Sequence, residues 1–364
     1  MLCGALDPST LANLGGKLMR LLTTSSLVVV FVAGVAGISS TTEQVGQAQE
    51  AGRGRGQAPL PVPTDLVATA IPGVVAAGTP IQLIKTGFQG AEGPVGMADG
   101  SVLFTETGAS RITRIDPAGN ISTFLENSNQ SNGLAFDLKG RLISVQRAPN
   151  NQKVGVLYPN GSEAVLADNY GGKPFNRLND IVVDRKGGVY FSDSIGDNTG
   201  LYYIPLGGKA VRIFNETTNP NGMQLSPDEK ILYVNHEDGL YLLAFDVQPD
   251  GTLRNRRNFA KYESVRIPGH KDPRIAEGNG ADGLAIDGEG RVYAATNKGI
   301  EVFSPQGQHV GTIPVVWGVE QLALRKPANL AFAGPDKKTL YIFGAGGTAF
   351  KLQMLAQGFK GRAK

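Results

Sequence analysis

The sequence predicts an all-β fold, a six-bladed β-propeller whose four-stranded antiparallel blades surround a central channel. A repeat that recurs along the chain and a turn-rich composition lead to this prediction. The 364 residues include 49 Gly and 21 Pro, which favours many turns over long helices. Repeats of about 40 to 50 residues with four strands each are typical of propeller blades. Such all-β folds often exceed about 250 residues in one unit, so the length is compatible with one large domain.

Each repeat begins with a polar residue, here called its head residue, followed by a short apolar stretch, a tight turn and a second β-rich stretch. The head residues and their successors are Glu92-Gly93, Asn132-Gly133, Asn179-Asp180, Asn221-Gly222, Asp282-Gly283 and, as a weaker sixth, Asn329-Leu330. The turns DLKG, DRKG and DGEG begin with Asp and end with Gly, as expected of tight hairpins. A register shared by six segments predicts six blades.

The ring of blades needs a closing strand, because too few residues follow the sixth repeat to complete a blade. Residues 81–86 are expected to supply it, which removes the exposed sheet edges that favour aggregation. The longest step between head residues indicates an insertion at 261–280. This polar, Pro- and Gly-rich segment is either a lid over the channel mouth or a disordered surface excursion.

The chain is expected to divide into an export segment at 1–48, a linker at 49–78, the propeller at 79–356 and a C-terminal tail at 357–364. Lys17 and Arg20 precede an apolar run at 27–38, which is shorter than the roughly 20 residues that a membrane span needs. We therefore predict an exported protein, periplasmic or secreted, that starts at Met1 or Met19. An uncleaved N-terminal anchor is the alternative.

Charge and cysteine content exclude several classes of function. The net charge is only +3 and basic residues are not clustered strongly, so we expect no nucleic-acid partner. The single cysteine, Cys3, lies before the apolar run, which leaves the mature chain without a disulfide or a catalytic thiol. We expect a monomer that acts on a small molecule, with no membrane contact beyond the export signal.

The head residues predict a metal site. In a propeller the innermost strands line the channel, so equivalent residues at their starts form a ring at one mouth. All six head residues offer a side-chain oxygen, and hard cations such as Ca²⁺ bind six to eight such oxygens. The scattered histidines argue against a zinc site. Turn capping by each residue alone is the structural alternative.

A second ring follows from the same geometry, because the second strand of each blade returns to the same mouth. It comprises Glu106, Gln146, Asp193, His236 and Thr296. These residues are expected to contact substrate or to orient the metal ligands, and solvated strand ends are the alternative.

The motifs AEGPVGMADGSVLFTE, NRLNDIVVDRKGGVYFSD, NPNGMQLSPDEKILYV and GADGLAIDGEGRVYAAT resemble the family of gluconolactonases and senescence marker protein (regucalcin). The resemblance implies a propeller with one catalytic divalent ion, usually Ca²⁺, that hydrolyses sugar-type lactones. Zn²⁺, Mn²⁺ or Mg²⁺ are alternative ions. By this resemblance Glu92, Asn179, Asn221 and Asp282 hold the metal, and Arg177 contacts the substrate. Asn132, in an equivalent head position, is expected to touch substrate or a metal-bound water.

The resemblance also implies that Asp282 is the catalytic proton acceptor. Because a carboxylate that touches a cation is a weaker base, Asp193, Glu106 and His236 remain alternatives. Two other functions stay open at this point: a phosphotriesterase-like hydrolase on the same scaffold, and a ligand-binding propeller with a structural ion. The segment 315–326 is longer than expected before the last repeat, which leaves the last channel wall undefined.

Overall fold

A computed structural model describes residues 66–263, 281–315, 326–344 and 347–361, all of which belong to one unit, Pro59–Lys364. These residues form six four-stranded antiparallel sheets and one two-stranded ribbon, with no helix among them. Within the same ranges, the chain therefore contains no helix of a length and apolarity suited to crossing a membrane. The all-β six-bladed propeller predicted from the repeats is confirmed.

The strands follow one another blade by blade along the chain. Strand β1 (Gln82–Lys85) precedes blade 1, which consists of β2 (Ala91–Gly96), β3 (Val102–Glu106), β4 (Arg111–Ile115) and β5 (Ile121–Leu125). Blade 2 consists of β6 (Ser131–Phe136), β7 (Leu142–Gln146), β8 (Lys153–Tyr158) and β9 (Ala164–Ala167), and the ribbon of β10 (Asn169–Tyr170) and β11 (Lys173–Pro174) follows. Blade 3 consists of β12 (Leu178–Val183), β13 (Val189–Asp193), β14 (Gly200–Ile204) and β15 (Val211–Phe214).

The second half of the ring repeats this order. Blade 4 consists of β16 (Pro220–Leu225), β17 (Ile231–His236), β18 (Tyr241–Val247) and β19 (Leu253–Lys261). Blade 5 consists of β20 (Leu284–Ile286), β21 (Val292–Thr296), β22 (Gly299–Phe303) and β23 (His309–Ile313). Blade 6 takes β24 (Pro327–Ala333), β25 (Thr339–Gly344) and β26 (Thr348–Gln353) from the end of the chain and β1 from its beginning.

The ring is closed by β1, which pairs antiparallel with β26 so that Leu83 lies opposite Phe350. Each innermost strand contacts the innermost strand of the next blade, and β24 contacts β2 in the same way. The prediction that residues 81–86 close the ring is confirmed. Strand β1 therefore supplies the outermost strand of blade 6.

The turn chemistry seen in the repeats also holds. In blade 2 the carboxylate of Asp137 accepts hydrogen bonds from the amide groups of Lys139 and Arg141, each at 2.9 Å. Gly140 has a φ of 72°, a left-handed conformation that a residue without Cβ adopts easily. Asp184 and Asp287 bind the corresponding amide groups in blades 3 and 5.

The apolar core lies between neighbouring blades. Val145 of blade 2 is buried in one cluster with Phe191 and Tyr202 of blade 3. The rings of Phe191 and Tyr202 are stacked with their centroids 5.0 Å apart, an arrangement that contributes about 0.5 to 1.5 kcal/mol beyond its buried area. This packing fixes the blades relative to one another and so fixes the positions of the head residues.

The folded domain extends beyond the predicted bounds of 79–356. Ile71 and Val75, expected in the linker, are buried in the core cluster of blades 5 and 6, and the backbone carbonyl of Gly73 accepts a hydrogen bond from Arg291 at 3.0 Å. At the other end the amide of Phe359 bonds to the carbonyl of Ile286. The apolar residues in the predicted linker therefore serve as core. The predicted export segment at 1–48, residues 264–280 of the insertion and residues 316–325 lie outside the described residues.

Candidate active site at the channel mouth

Five head residues occupy equivalent positions in blades 1 to 5. They are Glu92, Asn132, Asn179, Asn221 and Asp282. In blades 1 to 4 the residue before the head pairs with the last residue of the second strand. In blade 5 the amide of Asp282 bonds to the carbonyl of Ala295 in the second strand. Four of these head residues are buried and Glu92 is partly exposed. The charge of Asp282 in blade 5 acts on Glu92 in blade 1, so the ring brings distant parts of the chain together.

The glycine that follows a head residue is required by the next blade. A Cβ at Gly93 would lie 1.9 Å from the backbone oxygen of Asn132, and one at Gly222 would lie 2.2 Å from that of Asp282. In blade 3 Asp180 takes this place and its carboxylate accepts a hydrogen bond from the amide of Met223 in blade 4, at 2.9 Å. The Asn-Gly pairs therefore reflect the close approach of neighbouring blades, and not a tight turn.

The predicted sixth head residue, Asn329, lies one position after the head position of blade 6. In blades 2 to 4 the residue before the head pairs with the end of the second strand, as Leu178 pairs with Asp193. In blade 6 the corresponding pair is Pro327 and Gly344, so Ala328 occupies the head position. Asn329 is equivalent to Asp180: the Oδ1 atom of each accepts the amide of the next residue at 2.9 Å. The prediction was wrong here because it chose the asparagine by residue type and not by its position relative to the strand pairing.

Two amide oxygens of the ring are buried without a hydrogen-bond partner, Asn132 Oδ1 and Asn221 Oδ1. Buried polar atoms nearly always have a partner, so these two oxygens indicate a place for a bound group. Asn179 is buried in the same ring of head residues. Free amide oxygens beside carboxylates are the donors that Ca²⁺ prefers, and the residues present therefore fit such an ion.

The two carboxylates of the ring repel each other. Burial and then the negative charge of Asp282 raise the pKa of Glu92 to about 7. Asn329 donates a hydrogen bond to Glu92 Oε2 at 3.3 Å, which favours the ionised form. A bound divalent cation held by Glu92 and Asp282 would compensate both charges.

Two cationic side chains at the mouth were missed by sequence reasoning. Lys326 places its Nζ atom 3.1 Å from Asp282 Oδ2, and both side chains are buried. Arg147 interacts electrostatically with Glu92, Asp282 and Arg177. Asp282 is therefore paired with a lysine. Within the described ranges no three His, Cys, Asp or Glu side chains form a metal-binding group, so any metal site there depends on the amides.

Two predicted second-ring residues are held by the protein itself. Both oxygens of Asp193 accept backbone hydrogen bonds, from Asn176 at 2.9 Å and from Arg177 at 2.6 Å, and burial raises its pKa to about 6. Asp193 therefore shapes the segment that carries Arg177. Glu106 accepts hydrogen bonds from Arg111 at 2.8 Å and from Thr113 at 2.6 Å. Although burial opposes it, this bonding lowers the Glu106 pKa.

The fourth blade contributes one predicted and one unforeseen residue. The Nδ1 atom of His236 is buried and has no partner, and burial lowers its pKa. Its neighbour Glu237 accepts hydrogen bonds from the Nδ2 atoms of Asn221 at 3.1 Å and Asn219 at 2.8 Å. Because Glu237 binds the nitrogen of the Asn221 amide, the oxygen of that amide stays available. Glu237 directly follows the second-ring residue His236, as Arg147 follows Gln146, so it lies one residue beyond the predicted second ring.

Comparison with known proteins places this site in a family. The family model described as SMP-30/Gluconolactonase/LRE-like region matches residues 90–346. The chain is 29% identical to a gluconolactonase of Zymomonas mobilis over 273 residues, which cover 66% of this chain and 74% of the relative. Its fold is similar to that of a gluconolactonase of Xanthomonas campestris, with a TM-score of 0.66, 23% identity and coverage of 80% and 97% of the two chains.

A further similar structure is the calcium-binding protein regucalcin of Agrobacterium tumefaciens, with a TM-score of 0.59, 15% identity and coverage of 77% and 95% of the two chains. At these identities the solved structures support the fold. The family model, in contrast, spans well over half of the sequence and includes five head residues of the ring. This chain therefore belongs to the SMP-30/gluconolactonase/LRE-like family.

Proposed function

We propose that this protein is a metal-dependent lactonase that opens the ring of a small sugar-type lactone, with Ca²⁺ as its ion. The chain is a lactone-hydrolysing enzyme by its family and by its gluconolactonase relative. The observation that carries the metal is the ring itself, in which two carboxylates lie beside buried amide oxygens that lack a donor. The calcium-binding regucalcin of similar fold supports the choice of ion. Zn²⁺, Mn²⁺ and Mg²⁺ are the ions to compare with it.

Glu92, Asn179, Asn221 and Asp282 are the residues that would hold the ion. When bound, it would act as a Lewis acid that stabilises negative charge on the lactone carbonyl oxygen. Glu237 supports this set by holding the nitrogen of the Asn221 amide, which turns the oxygen toward another partner. Asn132, whose Oδ1 atom is buried and unpartnered, would bind a substrate hydroxyl or an ordered water.

Asp282 is the proposed proton acceptor for the water that attacks the lactone. Of the alternatives, Glu106 has both oxygens bound to Arg111, and Asp193 has both bound to backbone amides. A base must present a free lone pair to the proton it takes, which disfavours these two residues. His236 keeps a free Nδ1 atom and is the second candidate for the base.

The test is turnover of a panel of lactones by the purified protein, before and after treatment with a chelator and after restoring Ca²⁺. We expect hydrolysis that is lost with the chelator and recovered with the ion. Turnover that is indifferent to complete metal removal would refute the metal, and hydrolysis of phosphotriesters in place of lactones would refute the substrate class.

Asp282→Asn separates the two roles of Asp282, because the amide keeps an oxygen for the metal but cannot accept the proton. We expect Ca²⁺ still to bind by calorimetry while kcat falls by about 100-fold or more. His236→Gln is the matched comparison for the second candidate. A larger loss of kcat in His236→Gln than in Asp282→Asn would transfer the role of base to the histidine.

A further inference from the structure

Arg147 directly follows β7, and its side chain reaches the backbone of blade 3 at Leu178. Its charge interacts with carboxylates from three different blades, Glu92 of blade 1, Glu237 of blade 4 and Asp282 of blade 5. The side chain therefore faces the channel mouth at which these carboxylates lie. It nevertheless keeps some accessible surface, as expected of a group that borders a water-filled channel.

The side chain of Arg147 is held in place by one end only. Its Nε atom donates a hydrogen bond to the backbone oxygen of Leu178, and no residue in the described ranges accepts a hydrogen bond from its two Nη atoms. The backbone amide of Arg147 bonds to the carbonyls of Asn129 and Gln130. These two residues have left-handed φ values of 56° and 50°, so a strained loop fixes the start of the side chain.

Arg177 directly precedes Leu178, whose carbonyl oxygen binds Arg147, so the two arginines are neighbours and the charge of Arg177 acts on Arg147. Burial and this like charge both lower the pKa of Arg147, to about 10. The backbone of Arg177 is fixed by Asp193 at 2.6 Å, while its guanidinium forms no hydrogen bond with the residues described. Two cationic groups with unused donors are therefore held near each other at the mouth, although they repel. Such an arrangement is stabilised by an anion between them.

Charge compensation of Glu92 and Asp282 does not account for Arg147. It forms no hydrogen bond with either carboxylate, whereas Lys326 binds Asp282 directly and Asn329 binds Glu92. A divalent ion at Glu92 and Asp282 would add two further positive charges beside Arg147 and Lys326. Negative charge from the substrate would then be favoured at this mouth.

We propose that Arg147 and Arg177 together bind an anionic substituent of the lactone, so that the substrate is a sugar lactone that also carries a carboxylate or a phosphate. This inference rests on the proposed lactonase function and narrows its substrate class. The planar guanidinium group binds either anion through two parallel hydrogen bonds, which fixes the orientation of the substrate as well as attracting it.

The test compares kcat/KM for a neutral lactone, gluconolactone, with that for a carboxylated one, glucarolactone, and a phosphorylated one, phosphogluconolactone. We expect the native protein to prefer at least one of the anionic lactones. In Arg147→Gln the ratio of kcat/KM for the preferred anionic lactone to that for gluconolactone should fall by about 100-fold. Arg147→Lys, which keeps the charge but loses the two-pronged geometry, should show a smaller fall of about tenfold.

Arg141→Gln is the matched control, because Arg141 directly precedes β7, at the opposite end of this strand from Arg147, and pairs with Asp137. Unfolding midpoints of all variants show whether they are folded. A fall in kcat/KM that is equal for all three lactones in Arg147→Gln, or a native preference for gluconolactone, would overturn this inference and leave the proposed function standing. If no lactone is hydrolysed by the metal-loaded native protein, the proposed function fails, and this inference fails with it.

Discussion

Replacing Gly222 by Ala tests whether the close approach of neighbouring blades positions the active site. The added Cβ would lie 2.2 Å from the backbone oxygen of Asp282, whereas ordinary contacts begin at 3.4 Å. Blades 4 and 5 would have to separate by about 1.2 Å beside the proposed proton acceptor. The hydrogen bond of 3.1 Å from the Gly222 amide to the same oxygen would be strained or lost.

The expected cost follows from this overlap. Overpacking a rigid contact costs about 1 to 3 kcal/mol, which corresponds to a fall of roughly 2 to 5 °C in the unfolding midpoint of a domain of this size. A displacement of about 1 Å at a catalytic group can lower turnover by about 100-fold. Gly222→Ala should therefore lower both the midpoint and kcat.

Gly288→Ala is the control for this experiment. Its nearest neighbour would be the backbone oxygen of Gln357 at 3.5 Å, an ordinary contact. Thermal unfolding and lactone turnover of the two variants are compared with those of the native protein. If Gly222→Ala behaves like Gly288→Ala in both measurements, the glycines after the head residues are not required by blade packing and the reasoning is wrong.

Three further predictions concern the carboxylates of the mouth. The affinity for Ca²⁺, measured by calorimetry, should rise as the pH increases through about 7, since Glu92 must lose its proton to bind the ion; Glu92→Gln should weaken binding and remove this dependence. Asp193→Asn should raise KM about tenfold with little change in kcat, because its amide nitrogen would face the backbone amide of Arg177. The pKa of Glu106 is lowered by folding, so its stabilising effect is present at neutral pH and is lost as the pH falls through the folded-state pKa. Glu106→Gln should therefore lower the unfolding midpoint more at pH 7 than at pH 3, and equal effects at both would contradict the prediction.

The fold could be predicted because each blade repeats the same pattern of head residue, strand and turn in the sequence. Hairpin turns such as the one at Asp137 use local chemistry that a short stretch of sequence specifies completely, and the repeat counts the blades. Ring closure followed from the incomplete last blade. The extent of the domain was less accessible, because Ile71 becomes core only through contact with blades that lie far away in the sequence.

The site was predictable only where it obeys the repeat. Head residues share a residue type as well as an offset. Arg147 and Glu237 share an offset too, directly after the second strand, but their opposite charges give no common signal at that position. Asn329 was misassigned for a different reason. It is an asparagine, like three of the other head residues, but the strand pairing puts Ala328 at the head position of blade 6. The residue type of Asn329 could not show that its amide nitrogen donates a hydrogen bond to Glu92 in place of an oxygen facing the channel.

The pairing of β1 with β26 has a consequence for how the molecule assembles. The strand that completes blade 6 is made first and its partner last, so the barrier to folding includes bringing the two ends of the domain together. Until Phe350 has been synthesised, β1 has no strand to pair with, and both β1 and the edge of the incomplete blade 6 stay exposed. Loss of β1 or of β26 should therefore leave an open ring with an exposed strand edge, which favours association between molecules.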